Sequence, residues 1–219
     1  MKKEFWHEKW QSNQIGFNQL QPNQLLLQYF ATLNLKPGSR VFVPLCGKSI
    51  DMLWLVSQGY EVLGIELSSI ACAAFFNEQS IPVTVTHSDT FTVYNSEKIT
   101  LLSGDFFDLN KKMLDKVDAV YDRAALIALP VELRQRYATF LMSLIEPGIP
   151  MLLITNTYDQ NEMEGPPFSV DENEVVSLYS EHFNIQQLYH QIAETIPAHL
   201  QAKGLTIASE EVYYLSSKV

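Results

Sequence analysis

The residues of this chain that can do chemistry stand in short patches, each directly after a run of apolar and β-branched side chains. The first patch is Val43-Pro44-Leu45-Cys46-Gly47-Lys48-Ser49. A glycine at such a place lets the backbone turn tightly and lets a ligand come close. Gly47-Lys48-Ser49 also has the ending of a phosphate-binding loop. That motif requires another glycine five residues before Gly47, and Phe42 stands there. Phosphate cradling is therefore disfavoured, and a plain strand-to-helix turn remains the competing explanation.

The second patch is Gly64-Ile65-Glu66-Leu67-Ser68. Glu66 lies roughly twenty residues past the glycine turn, where an acid commonly accepts the two hydroxyls of a ribose. Its alternative is a solvated Glu at the start of a helix. A dinucleotide site shows three glycines for its pyrophosphate, whereas here there is one. A nucleoside ligand without phosphates, such as S-adenosylmethionine, needs no such loop. The third patch, Ser103-Gly104-Asp105-Phe106-Phe107, offers an acid for an exocyclic amine and an aromatic ring for stacking. Equally, Asp105 can cap a short helix while both Phe side chains enter the core. The fourth is Tyr121-Asp122-Arg123-Ala124-Ala125-Leu126. Its arginine can orient an anionic group or sit in an internal ion pair.

Two further features flank these patches. Trp6 and Trp10 are one helical turn apart and share a face. They either anchor a helix permanently or form a lid. Gly165-Pro166-Pro167-Phe168 is a stiff apolar loop that can wall a pocket or simply connect two elements.

The elements that must position these residues alternate between strand and helix, as in a parallel α/β sheet. Strands are expected at 40–43, 61–65, 99–103, 117–121 and 151–155, with two more in the tail at 183–189 and 211–215. A helix is expected over about 50–57 and another from a cap at Ser68. A hairpin is expected within 81–93. Between the fourth and fifth strands, Leu133, Tyr137, Phe140, Leu141 and Leu144 make one helical face. Seven strands ending in an antiparallel pair make a doubly wound, Rossmann-like sheet with helices on both faces, and by analogy of fold alone the class I S-adenosylmethionine-dependent methyltransferase variant of it is expected.

Composition narrows the partners. The 219 residues are expected to form one domain, 1–219, and carry a formal net charge of −10 with 47% hydrophobic residues. Such a field disfavours nucleic acid and acidic membranes as partners. The first ten residues mix charges with aromatics and do not read as a signal peptide. No run approaches a membrane span. Cys46 and Cys72 are expected to be free thiols in a cytoplasmic protein. Five histidines show no zinc spacing with them, so no metal is expected.

Taken together these motifs resemble the thiopurine S-methyltransferase family, bacterial type. The matching pieces are Trp6-His7-Glu8-Lys9-Trp10, Phe17, Pro44-Leu45-Cys46-Gly47-Lys48, Gly64-Ile65-Glu66-Leu67-Ser68, Asp122-Arg123-Ala124-Ala125-Leu126, Tyr158-Asp159 and Gly165-Pro166-Pro167-Phe168-Ser169-Val170. The resemblance implies S-adenosyl-L-methionine as cofactor and S-adenosyl-L-homocysteine as product. It implies that Trp10, Leu45, Glu66 and Arg123 bind that cofactor, with Trp6 beside them and Asp105 and Phe106 at the adenine. It implies that Phe17, Pro166 and Pro167 meet the acceptor, a small thiol such as a thiopurine, and that Arg123 acts in catalysis. Selenium or tellurium species and halides stay open as other acceptors. One departure stands out: some members have a second arginine near the acceptor, and Thr195-Ile196-Pro197-Ala198-His199-Leu200 holds none. A monomer is expected, with residues 1–21 as a lid that orders on the cofactor.

Overall fold

Strict alternation of side chains builds the sheet. Along β1 (Arg40–Val43), Val41 and Val43 enter one core while Phe42 enters the other, and all three are buried. A strand buried on both faces must be apolar on both, which is why these runs read as continuous. The same division recurs in β2 (Glu61–Glu66), where Val62 faces one way and Leu63 and Ile65 the other.

The computed structural model describes residues 3–218. Met1, Lys2 and Val219, which the expected domain and lid include, lie outside the described residues. The remaining strands are β3 (Thr84–His87), β4 (Thr92–Asn95), β5 (Ile99–Ser103), β6 (Ala119–Arg123), β7 (Met151–Thr157), β8 (Phe183–Ile192) and β9 (Ser209–Ser217). They form one sheet in the order β3-β4-β5-β2-β1-β6-β7-β9-β8. The five central strands, from β5 to β7, run parallel, and β9 and β8 follow antiparallel. The chain steps outward from β1 in one direction and then returns to start β6 on its other side. The crevice between the ends of β1 and β6 is thus the topological switch point, where open α/β sheets bind ligands.

The sheet has nine strands where seven were expected. The hairpin of β3 and β4 does not stand apart; β4 pairs antiparallel with β5, Val93 opposite Leu102 and Tyr94 opposite Leu101. The reason is apolar: Phe91 and Tyr94 are buried, and the Tyr94 ring stacks on Phe76 with centroids 6.1 Å apart. Strand β6 begins and ends two residues later than expected, since Asp122 and Arg123 still pair with Leu153 and Ile154.

Helices cover both faces. On one lie α2 (Gln24–Tyr29), α3 (Asp51–Ser57) and α4 (Ser69–Glu78), packed through Leu26, Met52, Leu55, Phe75 and Phe76. On the other lie α6 (Val131–Leu144) and α7 (Glu172–Tyr179), through Tyr137, Leu141, Leu144, Val175 and Tyr179. Three shorter or peripheral helices complete the set: α1 (Lys3–Gln11), α5 (Lys111–Leu114) and α8 (Ala198–Gln201). Ser68 caps α4 by accepting from the Ala71 N–H, as its position foretold. Among the described residues, no helix is long and apolar enough to cross a membrane.

Gly64, in the middle of β2, leaves space that its neighbours fill. A Cβ there would stand 2.6 Å from a Leu101 methyl and 2.8 Å from the Cys46 sulfur. Gly64→Ala should therefore destabilise the fold by about 1–3 kcal/mol, the usual cost of overpacking a core. Urea unfolding measures it, and an unchanged midpoint would contradict the packing described.

Candidate active site

The rim of the cleft is made by the carboxyl ends of β1, β2, β5, β6 and β7. Glu66 ends β2 with only 6% of its surface exposed. Its Oε2 accepts the Gly47 N–H at 2.9 Å and its Oε1 the Ser68 N–H at 2.8 Å. One carboxylate therefore joins the turn after β1 to the start of α4. Burial pushes its pKa up to about 7, against the pull of the Ser68 and Gly47 N–H groups.

The turn after β1 is strained. Leu45 has φ +45° and Gly47 φ +54°, both in the left-handed region, which costs a leucine more than a glycine. Trp10 closes over this turn: a Cβ on Gly47 would lie 3.3 Å from its ring. Trp10 is buried, and Phe17 meets Trp10 and Trp6 edge-on, with centroids 5.5 and 5.6 Å away. An ion pair from Lys3 to Asp105, at 2.5 Å, ties the start of α1 to the end of β5. The N-terminal aromatic group thus sits on the rim beside Gly47.

Arg123 leaves β6 and crosses the switch point. Its Nε donates to Asp51 Oδ2 at 2.6 Å and its Nη2 to the Ser49 hydroxyl at 2.7 Å. The Tyr121 hydroxyl donates to the same Asp51 oxygen at 2.8 Å, and the Asn23 N–H donates to Oδ1 at 2.8 Å. Arg123 is therefore in an internal ion pair, with Asp51 rather than its neighbour Asp122. Asp122 turns inward, wholly buried, and accepts from the Tyr137 hydroxyl at 2.7 Å and the Leu126 N–H at 3.1 Å. Burial raises its pKa to about 6, opposed by the Tyr137 hydroxyl and the Leu126 and Ala125 N–H groups. Those bonds hold the turn in which Ala124 takes φ +60°.

Two residues of the third patch divide. Asp105 caps a 3-10 turn over Phe106–Asp108 through the Phe107 N–H, at 2.9 Å, besides holding Lys3. The Phe106 side chain takes the second of the two placements weighed for it, in the core. It is buried, with Tyr137 at 4.9 Å and Phe140 at 5.4 Å between centroids. Ring burial in the core outweighs exposure at the rim.

The loop of Pro166 and Pro167 is fastened at several points. Tyr158 donates its hydroxyl to the Pro167 carbonyl at 2.6 Å, and Lys203 donates to the Pro166 carbonyl at 3.0 Å. Gly165, at φ +82°, lies under the Phe168 ring. His199 packs against Gly16, where a Cβ would meet its ring at 3.1 Å. The stretch around α8 thus touches both the N-terminal segment and the proline loop. Burial, then the Lys203 ammonium, lowers the pKa of His199. Burial, then the Lys9 ammonium, lowers that of Lys203.

Cys46 and Cys72 are free and buried. Burial raises the pKa of both thiols, so neither is an activated nucleophile. Reading the sequence missed Asp51 and Lys203. Asp51 had a faint signal, an acid just after the glycine turn; Lys203 had none.

The strand order with a reversed last pair, and a cleft framed by Gly47 and Glu66, define the class I S-adenosylmethionine-dependent methyltransferase fold. Solved structures of that fold superpose over nearly the whole chain. Magnesium protoporphyrin IX methyltransferase from Synechocystis, solved with S-adenosylhomocysteine, has a TM-score of 0.65 at 14% identity, covering 98% of this chain and 99% of that one. A methyltransferase from Anabaena variabilis has a TM-score of 0.64 at 12% identity, covering 99% and 95%. In sequence, the model of the family described as Thiopurine S-methyltransferase (TPMT) matches residues 1–218. A thiopurine S-methyltransferase of Nitrosospira multiformis is 44% identical over 218 residues, 100% of this chain and 99% of that protein. One of Aliivibrio fischeri is 45% identical over 218 residues, covering 99% and 100%. The chain belongs to the thiopurine S-methyltransferase family and is a methyltransferase.

The raised pKa of Glu66 has a consequence for stability. A carboxyl that titrates near 7 when folded and near 4.5 when unfolded binds its proton more tightly in the folded state. Its contribution is therefore present at low pH and lost as pH rises from the unfolded value through the folded one. Glu66→Gln removes that titration. Relative to the variant, the wild type should lose on the order of 2–3 kcal/mol between pH 5 and pH 8. Urea unfolding of both proteins at the two pH values gives the difference, and parallel pH dependence would show that the carboxyl titrates normally.

Proposed function

We propose that this protein transfers a methyl group from S-adenosyl-L-methionine to the sulfur of a small aromatic thiol, thiopurines among them. The observation that carries the reading is the rim itself: a buried carboxylate at the end of β2 beside a left-handed glycine turn, with an arginine across the switch point and an aromatic cover above. The pieces fit the cofactor. Glu66 retains lone pairs for two ribose hydroxyls, and Gly47 leaves the backbone bare where a Cβ would crowd Trp10. Leu45 and Trp10 wall that turn, and Asp105 stands at the end of β5, where the adenine is expected.

S-adenosyl-L-methionine, when bound, supplies a methyl already activated by its sulfonium. The protein's own task is alignment and exclusion of water. Arg123, fixed by Asp51 and Ser49, orients the thiolate. Phe17 and the loop of Pro166 and Pro167 hold the acceptor ring. Trp6 and Trp10 shield the site, with residues 1–21 as the lid of a single domain. A thiopurine thiol is acidic enough to arrive as an anion near neutral pH, so a general base is not required.

Transfer of label from methyl-labelled cofactor to a thiopurine tests the reading. The expected outcome is turnover with wild type and a clear loss of kcat/KM in Arg123→Lys, which keeps the charge but not the planar fork. Transfer to selenite, tellurite or halide with none to thiols would overturn the acceptor class.

The lid makes its own prediction. Amides from Phe5 to Phe17 should exchange quickly in the free protein and become protected with S-adenosyl-L-homocysteine, since a helix this short depends on what it packs against. Strong protection without ligand would make α1 a fixed wall.

A further inference from the structure

We propose that Asp51 is a positioning residue for the transfer: it acts through Arg123, whose guanidinium it orients, and locks the root of the N-terminal segment to the same point. The proposal rests on the reading of Arg123 as the charge that meets the acceptor. The geometry is specific. Asp51 is 1% exposed, so its charge must be matched by donors. Asn23 N–H fills Oδ1, at 2.8 Å, while the Tyr121 hydroxyl and Arg123 Nε share Oδ2, at 2.8 and 2.6 Å. These donors come from three separate places: the cap of α2, the body of β6 and its end. Ser49, on the turn after β1, holds Nη2 of the same arginine at 2.7 Å.

An arginine with four rotatable bonds and one contact can swing. Held at Nε and Nη2 together, its plane is set. A buried ion pair contributes little net stability compared with apolar packing of the same volume, so fold stability alone is a poor account of this one. Its location offers a better account. The pair spans the crevice between β1 and β6, the switch point at which open α/β sheets bind their ligands and at which, on the reading above, the acceptor meets the cofactor. Asn23 also begins α2 immediately after the segment that carries Trp6, Trp10 and Phe17. A single carboxylate therefore sets the registration of the cover and the arginine relative to each other.

The test is a double-mutant cycle on the full chain. Asp51→Asn, Arg123→Lys and the double variant are assayed with labelled cofactor and a thiopurine, and S-adenosyl-L-homocysteine binding is measured by calorimetry. Asp51→Asn should lower acceptor kcat/KM at least about tenfold, as loss of a charged hydrogen bond does, with a smaller fall in product affinity, since the cover that Asp51 also anchors lies over the cofactor. The double variant should be no worse than Arg123→Lys alone, because both changes remove one arrangement. Additive losses, or wild-type efficiency in Asp51→Asn beside an impaired Arg123→Lys, would overturn the positioning role and leave the arginine reading intact. Wild-type kinetics in Arg123→Lys would instead remove the arginine reading, and this proposal with it. If Asp51→Asn does not fold, Ser49→Ala and Tyr121→Phe take the cradle apart singly. Each removes one charge-assisted hydrogen bond and should lower acceptor kcat/KM by about tenfold, with a smaller change in product affinity, and wild-type efficiency in both would overturn the proposal.

Discussion

Glu66 ends β2 with its carboxylate almost out of water, and backbone N–H groups from two different turns take its two oxygens. The rest of the rim depends on that arrangement. Gly47 donates to this carboxylate, which joins the turn after β1 to the end of β2, and Leu45 and Gly47 both take left-handed backbone angles in that turn. The bare face of Gly47 lies against the Trp10 ring. A carboxylate placed there must either find donors or take up a proton, and burial raises its pKa to about 7 in spite of the N–H groups that it accepts from.

The same problem is solved three times around the cleft, each time differently. Glu66 is satisfied by backbone N–H groups alone. Asp122 is satisfied by a tyrosine hydroxyl and the N–H groups of its own turn. Asp51 receives an arginine, a tyrosine and a backbone N–H. The partners decide what each acid can do. Backbone donors make Glu66 a joint between two turns, whereas the partners of Asp122 make it a brace for the turn beneath Arg123. The guanidinium turns Asp51 into a clamp.

Above this rim the cover is built from the two ends of the chain. Trp6, Trp10 and Phe17 form an aromatic cluster too small to be a core by itself, so it must lie on something. It lies on the glycine turn and, through Gly16, on His199. Lys203 fastens the proline loop from the other side. Two lysines, Lys9 and Lys203, are near enough to influence each other in a chain whose net charge is strongly negative.

Much of this was legible in the residues themselves. The central strands declare themselves as apolar runs buried on both faces, Ser68 as a cap, and Gly47 and Glu66 as a turn and an acid at the right separation, because each depends on neighbours close in the chain. Family membership was legible in the order of several short motifs along the chain. Only tertiary structure decided the rest. That Arg123 pairs with Asp51 and not Asp122 follows from alternation along β6, which sends adjacent side chains to opposite faces. That Phe106 enters the core follows from Tyr137 and Phe140 arriving from α6. The hairpin joins the sheet because Phe91 and Tyr94 find a surface there. Asp51 matters because Asn23, Tyr121 and Arg123 converge on it from positions 28 to 72 residues away. Partners so distant in the chain leave no local pattern, so their meeting is fixed only when the sheet has brought β1 and β6 side by side.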